Sequence, residues 1–590
     1  MLIVYVLFFL YVLTVPIPVG FNYDLWNDAL NGYSDYNFVW NGINDGFDIG
    51  WIPNAEPTYT DDPYIPVSES AQFAITRWLI KRHAAGILLG PFTVDNCPFE
   101  DLHFSPLFTV YRPDALLRVV QHLSHPKWGI SVNDCIEEEA KEVSYMYFTD
   151  IAEFIYTLGY GSYLWVIDAQ DAYYRLKIKE KYWKYMAIKW FGLIFIFTSL
   201  QMGLGSACAI YQRFADAVLY IIRTKNMAIF FCATTNIYMI HHYLDDFFGG
   251  HQDELVALQQ LKAAYDWFDK LGIPTQLKKL KFPYWIQIIL GWQWNTREMT
   301  VSMPQYKVIS YTAHVTRLIR ERERGTGKKD LERLDGKLGH ASVAVPCGRA
   351  KLRNLQHALH LELRNYDERI ILDDLVINDL KWWLMALQHM NGIPLEWICK
   401  NPKIFDDEIW TDAALRGDAL IGGMGGCTTS GYAYQLDNRR THVRMVAMRR
   451  AGVDIKLMET MAMYLILAWM APKLKCKNVK LYCDNWTTVK SLVKKRGPLN
   501  RRDIHFIIDK ICMLSLEYRF RFWIEHVTGD HNVMADRLSR FKELYKVNNV
   551  NPQDFKFIQG ETLISIANDV FDTMLNFKKV PRNTSKDDES

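Results

Sequence analysis

Asn236-Ile-Tyr-Met-Ile-His-His-Tyr-Leu-Asp-Asp-Phe-Phe-Gly-Gly250 decides how this chain is read. β-prone runs flank two adjacent acids, Asp245 and Asp246, so the stretch reads as a hairpin with carboxylates at its tip. A third acid, Asp168, ends another strand-like run, Tyr163-Leu-Trp-Val-Ile-Asp168. One acid at a turn or a helix N-cap is ordinary. Two such motifs together are not. Carboxylates converging from two strands can hold a pair of divalent cations, which stabilise the attacking and leaving oxygens of a phosphoryl transfer. Mg²⁺ suits that task, because it binds through few carboxylates plus substrate phosphates.

Four more acids are set apart near the C-terminus. Asp412 ends Ile409-Trp-Thr-Asp412, and Asp484 ends Val479-Lys-Leu-Tyr-Cys-Asp484. Asp536 lies in Asn532-Val-Met-Ala-Asp536-Arg-Leu-Ser-Arg540, after the strand-like Tyr518–His526. Glu459 sits inside the apolar helical run Leu457–Ala468, where a charge is unfavourable unless a partner or a metal takes it up.

A chain of 590 residues implies two or more domains. Its 68 basic and 66 acidic residues nearly cancel, so any nucleic acid must be held by local basic patches. The ten cysteines form no Cys-x-x-Cys pair, which excludes a zinc knuckle and a secreted disulfide scaffold and fits a reducing compartment. Met1–Leu13 is apolar, yet short for a membrane span and without a basic start. A buried strand or a misplaced start codon is favoured over a signal or membrane segment.

Residues 20 to about 70 are rich in Asn, Asp, Gly and Pro and read as irregular. Ser68–Gly86 reads as a helix, and Gln252–Lys270 as an amphipathic helix stopped at Leu271-Gly272. Ile286–Trp294 and Met299–Met303 read as paired strands around the turn Asn295–Glu298. Residues 305 to 392 read as helical and basic, 394 to 406 as a linker, and Gly422–Gly426 as a glycine-rich turn.

Further motifs fall in a fixed order. They are Gly86-Ile-Leu-Leu-Gly-Pro91, Ser105-Pro-Leu107, Leu123-Ser-His-Pro126, Ser131-Val-Asn133, Asp168-Ala-Gln-Asp171-Ala-Tyr173, Gly203-Leu-Gly-Ser-Ala207, Tyr243-Leu-Asp-Asp246 and Leu290-Gly-Trp292. With them the chain resembles the reverse transcriptases of retroelements that carry a fused ribonuclease H, of the DIRS-type or gypsy-like retrotransposon kind. His526, Gly529, Asn532, Ala535, Asp536, Leu538, Ser539 and Arg540 are similar to the closing motif of such ribonuclease H domains. The resemblance covers roughly residues 40 to 541.

It implies an α+β and α/β multidomain fold: a right-hand polymerase of fingers, palm and thumb, followed by a ribonuclease H-like domain. The divisions would be an N-terminal lead-in over 1–69, fingers and palm over 70–300, thumb and connection over 301–404, ribonuclease H over 405–541 and a tail over 542–590. Asp168, Asp245 and Asp246 would be catalytic metal ligands of the polymerase. Asp412, Glu459, Asp484 and Asp536 would be those of the nuclease, with Asn532 supporting them by hydrogen bonding. Asp171, Ala172, Tyr173, Arg112, Arg118 and Lys279 would bind the nucleotide, with Tyr173 excluding a 2′-hydroxyl. Each site would take two Mg²⁺, with Mn²⁺ as an alternative.

The implied partners are an RNA or DNA template-primer, an RNA–DNA hybrid and deoxynucleoside triphosphates. An element-encoded recombinase or integrase and gag would come from other reading frames. The implied setting is cytoplasm or nucleus, without a stable membrane partner. Arg439, Arg440, Arg444, Arg449, Arg450, Lys494, Lys495, Arg496, Arg501 and Arg502 would supply phosphate contacts. Met202 and His122 depart from the family, which has a proline-containing tripeptide and an acid there. They keep open the reading of a decayed or domesticated copy that binds nucleic acid without turnover.

Overall fold

The computed structural model describes residues 20–60, 68–111, 117–362, 369–399, 402–415, 423–437, 454–541 and 552–575. The chain divides into two compact units, Met1–Thr300 with Pro394–Cys399, and Val301–Ile393 with Lys400–Ser590. It is a mixed α/β, multidomain fold, as expected.

In the first unit four strands form one antiparallel sheet: β1 (Tyr163–Asp168), β2 (Ile240–Tyr243), β3 (Asp246–His251) and β4 (Lys281–Tyr284), in the order β4-β1-β3-β2. Helices α1 (Ala207–Lys225) and α2 (Glu254–Leu271) share its core. Asp253 caps α2 by accepting from the Val256 N–H, and Gly272 ends it in the left-handed region at φ 79°. Gly249 is required inside β3, because a Cβ there would lie 2.4 Å from the Trp165 ring and 2.6 Å from the Met239 carbonyl.

Several expectations are corrected here. Residues 20–49 are not an irregular lead-in: helices Tyr23–Ala29 and Tyr36–Asp45 bury Trp26, Leu30, Val39 and Ile43 in the same core. The apolar pattern was diluted by the intervening Asn, Asp and Gly. Ile286–Trp294 is two strands, Ile286–Ile289 and Trp292–Asn295, because Leu290 and Gly291 both take positive φ and make a two-residue turn. The Met1–Leu13 run lies outside the described residues. Among the described residues no helix is long and apolar enough to cross a membrane.

The second unit is built on six strands. They are β5 (Asp407–Ala413), β6 (Gly423–Thr428), β7 (Tyr432–Asp437), β8 (Asn478–Cys483), β9 (Arg521–His526) and β10 (Lys556–Phe557), in the order β9-β8-β5-β6-β7-β10. β5, β6 and β7 are antiparallel neighbours, whereas β8 runs parallel to both β5 and β9. Helix α3 (Ile455–Met470) is apolar on every side and buried, sharing a core with α5 (Arg502–Tyr518). Between them in the chain lies α4 (Trp486–Val493), and after them α6 (Val533–Ser539).

Three boundaries differ from expectation. The glycine-rich stretch is a buried strand, β6, and not a turn. Its glycines let α6 lie close: a Cβ on Gly425 would meet the Leu538 Cβ at 2.5 Å. Segment 301–393 is one body with the C-terminal domain, tied to it by Lys351–Asp509 at 2.7 Å and Arg502–Asp373 at 2.7 Å. Part of the supposed tail is structured: α7 (Gly560–Leu575) buries Leu563, Ala567, Val570 and Phe571 in the core of this unit.

Candidate active sites

The β1/β3 register places Asp168 directly opposite Asp246, and β2 pairs with β3 so tightly that only Leu244 and Asp245 form the turn. Leu244 adopts φ 51°, a strained choice for a side-chain-bearing residue. His242, buried beneath, holds that turn. Its Nδ1 lies 3.2 Å from the Leu244 carbonyl and its Nε2 2.8 Å from Asp216. The hairpin tip is therefore a fixed platform.

Asp168 is 2 % exposed and accepts from the Lys279 ammonium at 2.6 Å. Burial, together with a shared hydrogen bond and repulsion from Asp246, pushes its pKa up to about 7 despite Lys279. Burial and the Asp168 charge also raise Asp245. For Lys279, burial pulls downward, but the hydrogen bond to Asp168 and the charges of all three acids outweigh it and the net direction is up. The immediate carboxylate partner of Asp168 is thus Asp246.

Asp171, in the left-handed region at φ 55°, opens the short helix Ala172–Arg175. Its carboxylate is bound at 2.9 Å by the buried guanidinium of Arg82, which also stacks 3.8 Å from the Tyr174 ring centroid. Sequence reasoning missed Arg82: it lies 89 residues away, on a helix read only for its apolar periodicity. Tyr173 packs 5.2 Å from the Tyr211 ring, and its hydroxyl is 3.3 Å from the Cys208 sulfur. The charge of exposed Arg118 works against the rise of the Asp245 pKa without reversing it. Arg112 lies outside the described residues.

In the second unit the four acids converge from four elements. Glu459 is 3 % exposed on α3, and accepts the Ala413 N–H at 3.1 Å, one residue past Asp412. Asp412 accepts from the Ser539 hydroxyl. Burial, then Asp484 and Asp536, raise Asp412 to about 6 against the pull of Ser539. Burial, Asp412 and Asp484 hold Glu459 well above the carboxylate range. Burial also raises Asp484, and Asp536 is ion-paired with Arg540.

Among the described residues only Glu459, Cys483 and Asp484 have ligand atoms all within 4.8 Å of one another. Cys483 and Ser539 were not anticipated. The strand-end position before Asp484 and the place of Ser539 in the closing motif were the available signals. Asn532 does not reach the acids: its amide donates to the Thr411 carbonyl at 2.9 Å and so secures the strand that carries Asp412. Of the expected phosphate contacts, Arg501 is paired with Asp454 at 2.6 Å and Arg502 with Asp373. Arg439, Arg440, Arg444, Arg449 and Arg450 lie outside the described residues.

Both clusters leave carboxylates facing one another with too little counter-charge, the condition a divalent cation relieves. The carboxylate oxygens of both clusters fit such ions, whereas the Cys483 thiol, which burial and Glu459 hold in its protonated form, does not.

Residues 114–312 match the family model described as "Reverse transcriptase (RNA-dependent DNA polymerase)". This stretch, which contains Asp168, Asp245, Asp246 and Lys279, is of the reverse-transcriptase type. No curated protein matches the chain. Among solved structures, the chain is similar to a foamy viral protease-reverse transcriptase in complex with RNA/DNA hybrid at 12% identity, covering 88% of this chain and 85% of that one with a TM-score of 0.45. Two foamy viral protease-reverse transcriptase complexes with double-stranded DNA are each 14% identical. They cover 80% and 85% of this chain, and 72% and 96% of theirs, with TM-scores of 0.45 and 0.42.

Proposed function

We propose that the chain is the RNA-directed DNA polymerase of a retrotransposon, joined to a ribonuclease H that degrades RNA in RNA–DNA hybrids. The observation that carries the polymerase reading is the β1/β3 register, which sets Asp168 against Asp246 with Asp245 in the turn, inside the stretch that matches the family.

Asp168, Asp245 and Asp246 would hold two divalent cations, Mg²⁺ or alternatively Mn²⁺, whose charge steadies the attacking 3′-oxygen and the departing pyrophosphate. The protein positions what reacts. Lys279 keeps Asp168 partly neutralised until substrate arrives. Arg82 neutralises Asp171, so that a triphosphate can approach Asp171 and Ala172 without repulsion. Tyr173, braced by Tyr211 and Cys208, presents a ring edge to the sugar and excludes a 2′-hydroxyl. Arg118 and Lys279 supply positive charge for the triphosphate.

In the second unit Asp412, Glu459, Asp484 and Asp536 would hold the ions that activate water for RNA cleavage. The convergence of these acids from β5, α3, β8 and α6 supports that reading. Template-primer, hybrid and deoxynucleoside triphosphates are the substrates. A recombinase or integrase and gag from the same element are the partners.

Extension of an oligo(dT) primer on poly(rA) with a divalent cation tests the polymerase. Incorporation should disappear in the Asp245→Asn, Asp246→Asn double variant. Equal background from both proteins would overturn the reading and leave a nucleic-acid-binding descendant without turnover.

A further inference from the structure

Segment 301–393 meets helix α5 along a seam that takes no part in either acid cluster. There Lys351 reaches Asp509 on α5 at 2.7 Å and Asp379 at 3.4 Å. Four residues before Lys351 stands Cys347, and one helical turn beyond Asp509 stands Cys512, on the same face of α5. The Cys347 thiol donates to the Cys512 backbone carbonyl at 3.1 Å, across 165 positions of chain. Cys347 takes φ 61°, a region that residues with side chains rarely adopt. Its neighbour Gly348 has no room for a side chain, because a Cβ there would lie 2.7 Å from the Trp383 ring. Packing on one side and the Lys351–Asp509 pair on the other thus hold the two cysteines together.

The two thiols differ as an attacking and a resolving cysteine must. Cys347 is half-buried, whereas Cys512 is fully buried. Its hydrogen bond with Cys512, helped by the charges of Lys495 and Lys351, holds Cys347 below the usual thiol value against burial and Asp509. The same contact, with burial, holds Cys512 well above that value. A reachable, thiolate-prone sulfur therefore lies beside a protonated one.

We propose that Cys347 and Cys512 form a reversible oxidation site for hydroperoxides, closing a disulfide that ties segment 301–393 to α5. The Cys347 thiolate attacks one peroxide oxygen. The S–O bond forms as the O–O bond breaks, the departing oxygen takes up the proton released from Cys347, and the sulfur is left as a sulfenic acid. The Cys512 sulfur then attacks the Cys347 sulfur. The S–S bond forms, the S–O bond breaks, and the hydroxide leaves as water with the Cys512 proton. Two thiols have lost two electrons and two protons, and hydrogen peroxide has become two waters. An external thiol restores the reduced pair by exchange, so the bridge is transient and not a permanent staple. The site rests on the seam alone and stands whether or not the chain polymerises or cleaves.

The test exposes the reduced full chain to hydrogen peroxide, blocks the remaining thiols with N-ethylmaleimide and maps peptides by mass spectrometry without reductant. The expected product joins the Cys347 and Cys512 peptides, is two hydrogens lighter than their sum and is split by dithiothreitol. Cys512→Ser should strand Cys347 as a sulfenic acid that dimedone labels, while Cys347→Ser should leave Cys512 unlabelled. The linked chain should melt at least about 4 °C above the reduced one, because the bridge closes a long loop. Cys512→Ser should show no such rise. Maleimide on both cysteines of the peroxide-treated wild type would overturn the site, and that readout needs no variant to fold. Dimedone labelling of Cys347 equal in wild type and Cys512→Ser would overturn Cys512 as the resolving thiol. A linked chain with unchanged Tm would overturn the tie.

Discussion

The two acid clusters face the same electrostatic problem and meet it differently. In the first unit Lys279 lies 2.6 Å from Asp168 and supplies a resident cation. In the second, among the described residues, Glu459 has a backbone N–H and a thiol beside it and no cation, while Arg540 serves Asp536 at the rim. A cluster with its own lysine is partly neutral before any metal binds. One built around a glutamate in an apolar helix has no cation beside that glutamate, and is relieved instead by holding protons. The second unit should therefore depend more on divalent ions for stability as well as for chemistry.

The largest expected effect separates the two sites outright. Asp245→Asn with Asp246→Asn should abolish primer extension, by at least about 10³-fold, and leave hybrid cleavage intact. Glu459→Gln with Asp484→Asn should do the reverse. Parallel extension and cleavage assays on the same preparations check this. If either pair of changes disabled both activities, the two clusters could not be treated as independent sites.

A second prediction makes the first site resemble the other. Lys279→Ala removes the cation that competes for Asp168, so the metal-induced rise in Tm should become larger than in the wild type. Extension should meanwhile fall about 10²-fold, the scale of one lost electrostatic contact at a reacting phosphate. Metal titration by calorimetry and single-turnover extension read the two effects separately. Weaker metal binding in Lys279→Ala would show that the lysine supports the acids and does not compete with the ions.

How much of this contrast was legible beforehand varies with the range of the interaction. The hairpin acids and the apolar setting of Glu459 are local signals, carried by residues within a few positions. Which aspartate faces Asp168 was not legible, because it turns on Leu244 adopting a positive φ under the grip of His242. Arg82 and Ser539 act across 89 and 127 residues, a range that periodicity does not reach. The glycines before Cys427 were misread because a glycine run locally means a turn, whereas here the close approach of α6 demands it. Helix α7 carried a visible apolar stripe, Leu563, Ala567, Val570, Phe571 and Met574, that was overlooked beside the charged end of the chain.

Titration sharpens the comparison further. A carboxyl raised in the folded state binds more protons folded than unfolded, so stability falls as pH rises between the two pKa values. For Asp168 that window runs from 3.8 to about 7, and for Asp412 from 3.8 to about 6. With metal chelated, Tm should fall across pH 4 to 7. With saturating Mg²⁺ the loss should be offset, by about 2.7 kcal/mol at a hundredfold excess over Kd. The metal-dependent gain in Tm should thus be larger at pH 8 than at pH 5. A gain independent of pH would mean that ions bind elsewhere.

The smallest effect is the most discriminating, because it separates the glutamate from the aspartate. Glu459→Gln keeps the carbonyl that accepts the Ala413 N–H and removes a charge that burial, Asp412 and Asp484 all disfavour. Without metal, the variant should be more stable than the wild type by about 1 kcal/mol at pH 8, roughly 2–4 °C in Tm. The gain should shrink as pH falls, because burial, Asp412 and Asp484 favour the protonated form of Glu459, and reverse when Mg²⁺ is added, since the variant lacks a ligand. Asp168→Asn should behave otherwise. It removes the same kind of charge but strands the Lys279 ammonium, so its gain at pH 8 should be smaller or absent. If the two substitutions moved Tm equally, the resident lysine would make no difference to stability, and the contrast between the two sites would reduce to their chemistry.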